Sequence, residues 1–437
     1  MTSMIFAEQV KNQLLSLIGE MAAVPWLFSK NPSTDFSRTR KLDFASTIQM
    51  ILSMESASIK KELLDFFKFS SDTPTASAFA QQRSKLLLET WEFLFHEFNA
   101  GFSLEKKYNG YQLLACDGSD LNIARNPEDK DTYFQSSPTD RGYNQLHLNA
   151  LFDLCSKRYV DAVIQPSRKE NESSAMTQMV DRYRGDKKTI FIADRGYETY
   201  NIFAHVQEKG MYYMIWVKDG GGGSMTGSFR LPKKEAFDHD MHLLLTRKQT
   251  NEVKAHPELY KILDKKSPFD YVDLHEKPFY PINFRVVRFA ITESSYECII
   301  TNLPQGEFPM EEIKKLYAMR WGIETSFREL KYAIGLTCFH SKKVEYIMQE
   351  IYARLILYNY CEIITRNVVI QQKDTKHVYQ INYTIAIHIC RYFLRNDISP
   401  PDVEKLIQKN LLPVRPGRSD PRKVRPKSVV SFLYRVA

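Results

Sequence analysis

The chain has 437 residues, 43% hydrophobic and 26% charged, the make-up of a globular protein with room for two or three domains. No apolar run approaches the length of a membrane span, which excludes a membrane-spanning role. Six scattered cysteines without a CxxC pair argue against a zinc ribbon or a disulfide framework and fit a reducing cytoplasm. Net charge is +8, from 60 basic and 52 acidic residues, and it is unevenly placed. The stretch 413–437 holds seven basic residues and one acidic, and such a Pro-rich basic tail suits a phosphate backbone.

In chain order, the opening segment "MTSMIFAEQVKNQLLSLIGE" predicts an amphipathic helix, because acid and amide interrupt its apolar stretch. Residues 1–105 read as helical throughout. "SSDTPT" supplies turn chemistry, with Thr73 placed to cap a helix and Pro74 at its first position. The next helix would be "ASAFAQQRSKLLLETWEFLFHEF". Helix, turn and helix suggest a helix-turn-helix presenting Ser77, Gln81, Gln82, Arg83 and Lys85 to DNA, although any helical hairpin has this pattern.

From about residue 106 the period changes. "YQLLACDGSDLNI" reads as a strand interrupted by a turn, and "YNQLHLNALFDLCSKRYVDAVIQP" as a hairpin turning at "CSKR". A helix, the buried strand "KTIFIADRGYE", a helix ending at Gly210 and the strand "MYYMIWVK" follow. The order β-β-β-α-β-α-β predicts a mixed α/β sheet over 106–218. After the glycine run, 219–308 holds strand-like pieces that read as a β-rich insertion. A helix within 309–340 returns to the core, and 341–437 is helical before its basic tail.

Two acids stand where strands are expected to end, Asp117 in "DGS" and Asp194 in "DRGY". Ligands gather at such ends, and the nearby glycines would permit a sharp turn after each acid. Side by side, two such carboxylates repel, and a divalent cation with hard oxygen ligands resolves the conflict. A third acid comes from "YAMRWGIETSFRELK", predicted as one helix. At about 100° per residue, Tyr317, Arg320, Glu324 and Lys331 share an arc of roughly 60°. Beside that arc Ile323, Phe327, Leu330 and Ile334 form an apolar stripe. Asp117, Asp194 and Glu324 can hold two Mg²⁺ ions for in-line displacement at phosphorus. Arg320 and Lys331 can grip phosphate, and Tyr317 can donate its hydroxyl or stack on a base. Asp120 rivals Asp117, Glu329 rivals Glu324, and a solvated face with intrahelical ion pairs would explain the row taken alone.

The spacing Y-x2-R-x3-E-x6-K, together with "CDGSDLNI", "ADRGY" and "SAFAQQRSKL", resembles bacterial insertion-sequence transposases of the DDE class that carry a Y-R-E-K signature. The resemblance implies an RNase H-like mixed sheet interrupted by a β-rich insertion, with helical N-terminal and C-terminal regions. Asp117, Asp194 and Glu324 would be the catalytic and metal-binding triad. Tyr317, Arg320 and Lys331 would bind transposon-end DNA. Mg²⁺ is the implied cofactor, with Mn²⁺ able to substitute. The implied partners are double-stranded DNA, as terminal repeats and as target, and a second copy in a synaptic homodimer. No membrane and no nucleotide cofactor is implied, and the implied setting is a bacterial cytoplasm at the nucleoid. Many members flip a base onto an aromatic of the insertion; Trp216, Phe284, Phe289 and Tyr296 are the candidates here. The alternatives are a non-catalytic, transposase-derived DNA-binding regulator and a nuclease of the same fold that does not join strands.

Overall fold

A computed structural model describes residues 3–104, 106–220, 224–292, 295–368, 378–395 and 403–414. All but the first two residues of the basic tail therefore lie outside the described residues. No helix among those described is long and apolar enough to cross a membrane.

Five helices open the chain: α1 (Ser3–Ala23), α2 (Phe44–Ser53), α3 (Ile59–Phe66), α4 (Ala76–Arg83) and α5 (Glu89–Ala100). The cap of α4 is Thr75 rather than Thr73; its hydroxyl accepts from Ala78 N at 3.2 Å. The long helix expected after it is two helices, separated at Ser84–Leu88. The expected DNA-presenting surface is also corrected. Gln82 and Arg83 are buried, and Arg83 donates to Gln349 Oε1 at 2.9 Å and Glu350 Oε1 at 2.8 Å. Only Ser77 and Gln81 of that set are fully exposed.

The sheet begins with β1 (Gln112–Ile123), followed by β2 (Tyr133–Phe134), β3 (Tyr143–Asp153) and β4 (Arg158–Pro166). Next come α6 (Glu172–Arg182), β5 (Thr189–Ala193), α7 (Tyr200–Glu208) and β6 (Tyr212–Val217). Gly210, at φ 65°, ends α7 as expected. Strands lie in the order β4-β3-β1-β5-β6, antiparallel across the first three and parallel from β1 to β6. This is the RNase H-like mixed sheet.

The insertion supplies β7 (Phe237–Thr246), the short α8 (Asn251–Ala255), β8 (Tyr260–Ile262), β9 (Phe279–Thr292) and β10 (Ser295–Thr301). It does not form a separate sheet. β10 pairs antiparallel with β6, so the core sheet runs on through β10, β9, β7 and β8 to ten strands. The chain returns through α9 (Met310–Met319) and α10 (Trp321–Tyr332), then α11 (Val344–Thr365). The last described elements are β11 (Tyr379–Ile381), α12 (Tyr383–Arg395), α13 (Val403–Lys409) and β12 (Leu411–Pro413).

Alternation along the strands gives the sheet two apolar faces. Leu113, Ala115, Leu121 and Ile192 pack under α9–α13 and the N-terminal helices, as one continuous core. Leu114, Cys116, Phe191 and Ala193 pack under α6 and α7. α11 is buried almost throughout, so it is a core helix, and N-terminal and C-terminal regions share it.

Candidate active site

β1 does not break at Asp117. It runs on unbroken to Ile123, paired with β3 throughout, so Asp117 is mid-strand and no turn follows it. What ends there is the other partnership. The parallel pairing of β1 with β5 stops at Cys116↔Ala193. Asp117 and Asp194 each stand one residue beyond that pair, and the alternation of faces turns both toward α10. Asp194 caps the single 3₁₀ turn that follows β5, its Oδ1 accepting from Gly196 N at 2.8 Å.

Both motif glycines serve close approach, and of the two only Gly196 lies in the expected turn. A Cβ on Gly118 would lie 2.3 Å from His147 Nε2 and 2.6 Å from Glu172 Oε1. A Cβ on Gly196 would lie 2.9 Å from Glu172 Oε2. Both absences admit the carboxylate of Glu172, which the sequence reading did not single out.

The predicted single helix is two, joined at Arg320. Arg320 N bonds Tyr317 O at 3.0 Å, and Ile323 N bonds Arg320 O at 3.1 Å, so the chain tightens into a 3₁₀ turn there. Arg320 is buried at that joint, with Nη2 2.8 Å from Glu324 Oε1 and Nη1 3.7 Å from Asp117 Oδ2. One guanidinium thus ties the α10 acid to the β1 acid. Its Nε and the Tyr317 hydroxyl are both buried without a hydrogen-bond partner. Such orphaned donors in a charged cleft mark a place where an anionic oxygen fits. Lys331, half-buried about two turns beyond Glu324 on α10, donates to Asp120 O at 3.0 Å, and burial pulls its pKa down.

The rivals fall elsewhere. Asp120 projects from the opposite face of β1, with its Oδ1 2.9 Å from His147 Nδ1. Glu329 is largely buried and accepts from Tyr358 OH at 3.0 Å. Trp321 is 56% exposed, with the Arg320 guanidinium over its ring. Of the four aromatic candidates, Phe284 and Phe289 are buried. Tyr296 lies under Arg288, and Trp216, like Asp194, stands one residue beyond the last β5–β6 pair, with the Arg195 guanidinium 5.3 Å over its ring.

Burial pushes the Asp117 carboxyl up to about 6, against the pull of Gly118 N–H and Arg320, with Asp194 and Glu324 adding repulsion. A raised carboxylate destabilises the fold once ionised. The penalty is absent below the unfolded value near 3.8, sets in up to about 6 and is complete above it. Asp117→Asn is therefore expected to stabilise the metal-free protein by about 1–3 kcal/mol at pH 7.5. The gain should vanish as pH falls through 6 toward 4. Paired urea titrations of wild type and variant check this, and a variant less stable at pH 7.5 would refute the strain at Asp117.

A family described as the transposase DDE domain matches residues 108–360, more than half of the chain. The chain belongs to the DDE transposase family. Among curated relatives, it is 24% identical over 233 residues to the transposase for insertion sequence element IS231F of Bacillus thuringiensis subsp. israelensis, covering 48% of each chain. It is also 32% identical over 73 residues to the putative transposase InsL for IS186A of Escherichia coli K12, covering 16% of this chain and 20% of that one. The chain spans about half the length of the first of these relatives. A cryo-EM structure of the piggyBac transposase synaptic complex with hairpin DNA aligns over 94% of this chain and 87% of that one, at 11% identity and TM-score 0.45. The family implies a divalent metal ion, and here the Arg320 guanidinium lies between the Asp117 and Glu324 carboxylates, with Asp194 near enough to push the Asp117 carboxyl further up.

Proposed function

We propose that this chain is a DNA transposase that binds the ends of its element, cleaves them by metal-dependent phosphodiester hydrolysis and joins the freed 3′-OH ends to target DNA. The observation that carries this is that Asp117 and Asp194 each stand one residue beyond the last β1–β5 register pair, with Glu324 tied to Asp117 through Arg320. In this reading Asp117, Asp194 and Glu324 would hold Mg²⁺, as a pair of ions, with Mn²⁺ able to replace it. The ions supply activation of the attacking oxygen and stabilisation of the leaving one.

The chain's own residues position the substrate. Arg320 offers its unpartnered Nε, and Tyr317 its unpartnered hydroxyl, to non-bridging phosphate oxygens. Lys331 holds a neighbouring phosphate as a point charge. The catalytic core is residues 106–218 with 309–340, and 219–308 is the insertion. Residues 1–105 contribute DNA contacts through their exposed surface, and 341–437 complete the core and add the basic tail. The bound DNA is the terminal repeat and then the target, and two copies bring two ends together.

The test is a cleavage and joining assay. Purified protein is given labelled DNA carrying the repeats that flank its own gene, with Mg²⁺ or with chelator. Metal-dependent nicking at the repeat end, followed by a joined product, is expected. Cutting without joining would make it a nuclease. Binding without cutting would make it a regulator.

A further inference from the structure

On the other side of β1 from Asp117, a second set of metal-type donors converges. Asp120 and His147 face one another across the β1–β3 register, and Glu170 arrives from the segment between β4 and α6. His147 is 6% exposed, and two carboxylate oxygens aim at its Nδ1: Asp120 Oδ1 at 2.9 Å and Glu170 Oε2 at 3.3 Å. The three donor atoms lie within 4.8 Å of one another. Its Nε2 is buried without a well-directed hydrogen bond, 3.2 Å from Glu172 Oε1.

We propose that Asp120, His147 and Glu170 bind a transition-metal dication of the Zn²⁺ or Mn²⁺ type, separate from the ions of the Asp117 face. A proton on Nδ1 points to one carboxylate oxygen and leaves the other facing the ring, whereas a cation among the three satisfies both. Ligand atoms around a four-coordinate ion with bonds of ~2.1 Å lie roughly 3.0–3.5 Å apart, close to the two spacings here. One imidazole with two carboxylates suits Zn²⁺ or Mn²⁺ better than Mg²⁺, which takes oxygen. The remaining ring nitrogen then donates to a carboxylate, the usual arrangement behind a metal-bound histidine, and Glu172 is placed to receive it. Gly118 supports the same reading, since any Cβ there would occupy the space of His147 Nε2 and Glu172 Oε1. Glu172 also abuts the Asp194 turn at Gly196. An ion bound here braces that turn from behind, by fixing β1, β3 and the start of α6 together.

The test counts metal rather than activity. Zn²⁺ is dialysed against the full chain carrying Asp117→Asn, which disables the other face, and metal per chain is measured. About one Zn²⁺ is expected to remain. Adding His147→Gln should weaken that binding about 10-fold or more. If His147→Gln melts below the working temperature, Glu170→Gln, whose side chain is half exposed, is expected to give the same weakening. Zn²⁺ binding that survives both changes would overturn the proposal. So would its loss with Asp117→Asn alone, which would assign the metal to the catalytic face. Either result leaves the cleavage reading standing, because that reading is judged by joined product.

Discussion

Glu324→Gln should lose end cleavage by about 10³-fold or more in Mg²⁺ while keeping its affinity for the terminal repeat. The amide matches the carboxylate in shape and still accepts a hydrogen bond from Arg320, so α10 keeps its place. What disappears is one negative charge from the metal-binding set. Arg320 then keeps Asp117 as its charged partner. Nicking of a labelled end, scored beside band-shift affinity, separates the two effects. Wild-type cutting by the variant would remove Glu324 from the chemistry. A parallel fall in affinity and in folding would assign it a structural role instead.

Arg83→Ala should cost about 3–5 kcal/mol and yield a chain that is folded poorly or not at all. Arg83 is 2% exposed and fills a polar slot with Gln349, Glu350 and the carbonyl of Tyr346. Burial alone would push Glu350 up, but Arg83, His340 and Arg354 outweigh it and hold the carboxyl at about 2. Removing Arg83 takes the largest of those pulls from a fully buried anion and leaves it to His340 and Arg354. A second change, Glu350→Leu, should recover part of the loss, because the buried charge goes with it. Urea unfolding of wild type, single and double variants measures both effects. A stable Arg83→Ala protein that has lost DNA affinity would restore Arg83 to the DNA-facing surface.

Much of the Asp117 face was legible, because it depends on local pattern. Alternating apolar runs marked the strands, and the spacing of Tyr317, Arg320, Glu324 and Lys331 grouped those side chains along one helical segment. The role of Gly118 was not legible. Asp-Gly-Ser has turn composition, and only tertiary structure puts His147 and Glu172 where a Cβ would go. Arg83 was misread for a related reason. On its own helix it is a polar residue in a polar run, and its partner Glu350 lies 267 residues away. The joint at Arg320 was hidden because Met-Arg-Trp-Gly holds no proline, and a single glycine is tolerated inside a helical pattern. There the side chain is buried between two carboxylates, and that packing sets the local geometry.

The sharing of α11 between the two ends of the chain has a consequence for synthesis. Lys11 Nζ donates to Phe393 O, 382 residues away, and Arg354 Nη2 donates to Glu55 O across 299. A ribosome releases residues 1–105 long before the helix that covers their apolar side exists. Until α11 emerges, those helices lack the partner that buries them, and they stand exposed to chaperones and proteases. Glu324, the last of the three acids proposed for the chemistry, also precedes α11, so all three are made before the core that packs behind them. The core that the first hundred residues begin is therefore completed only when the last third of the chain has been made.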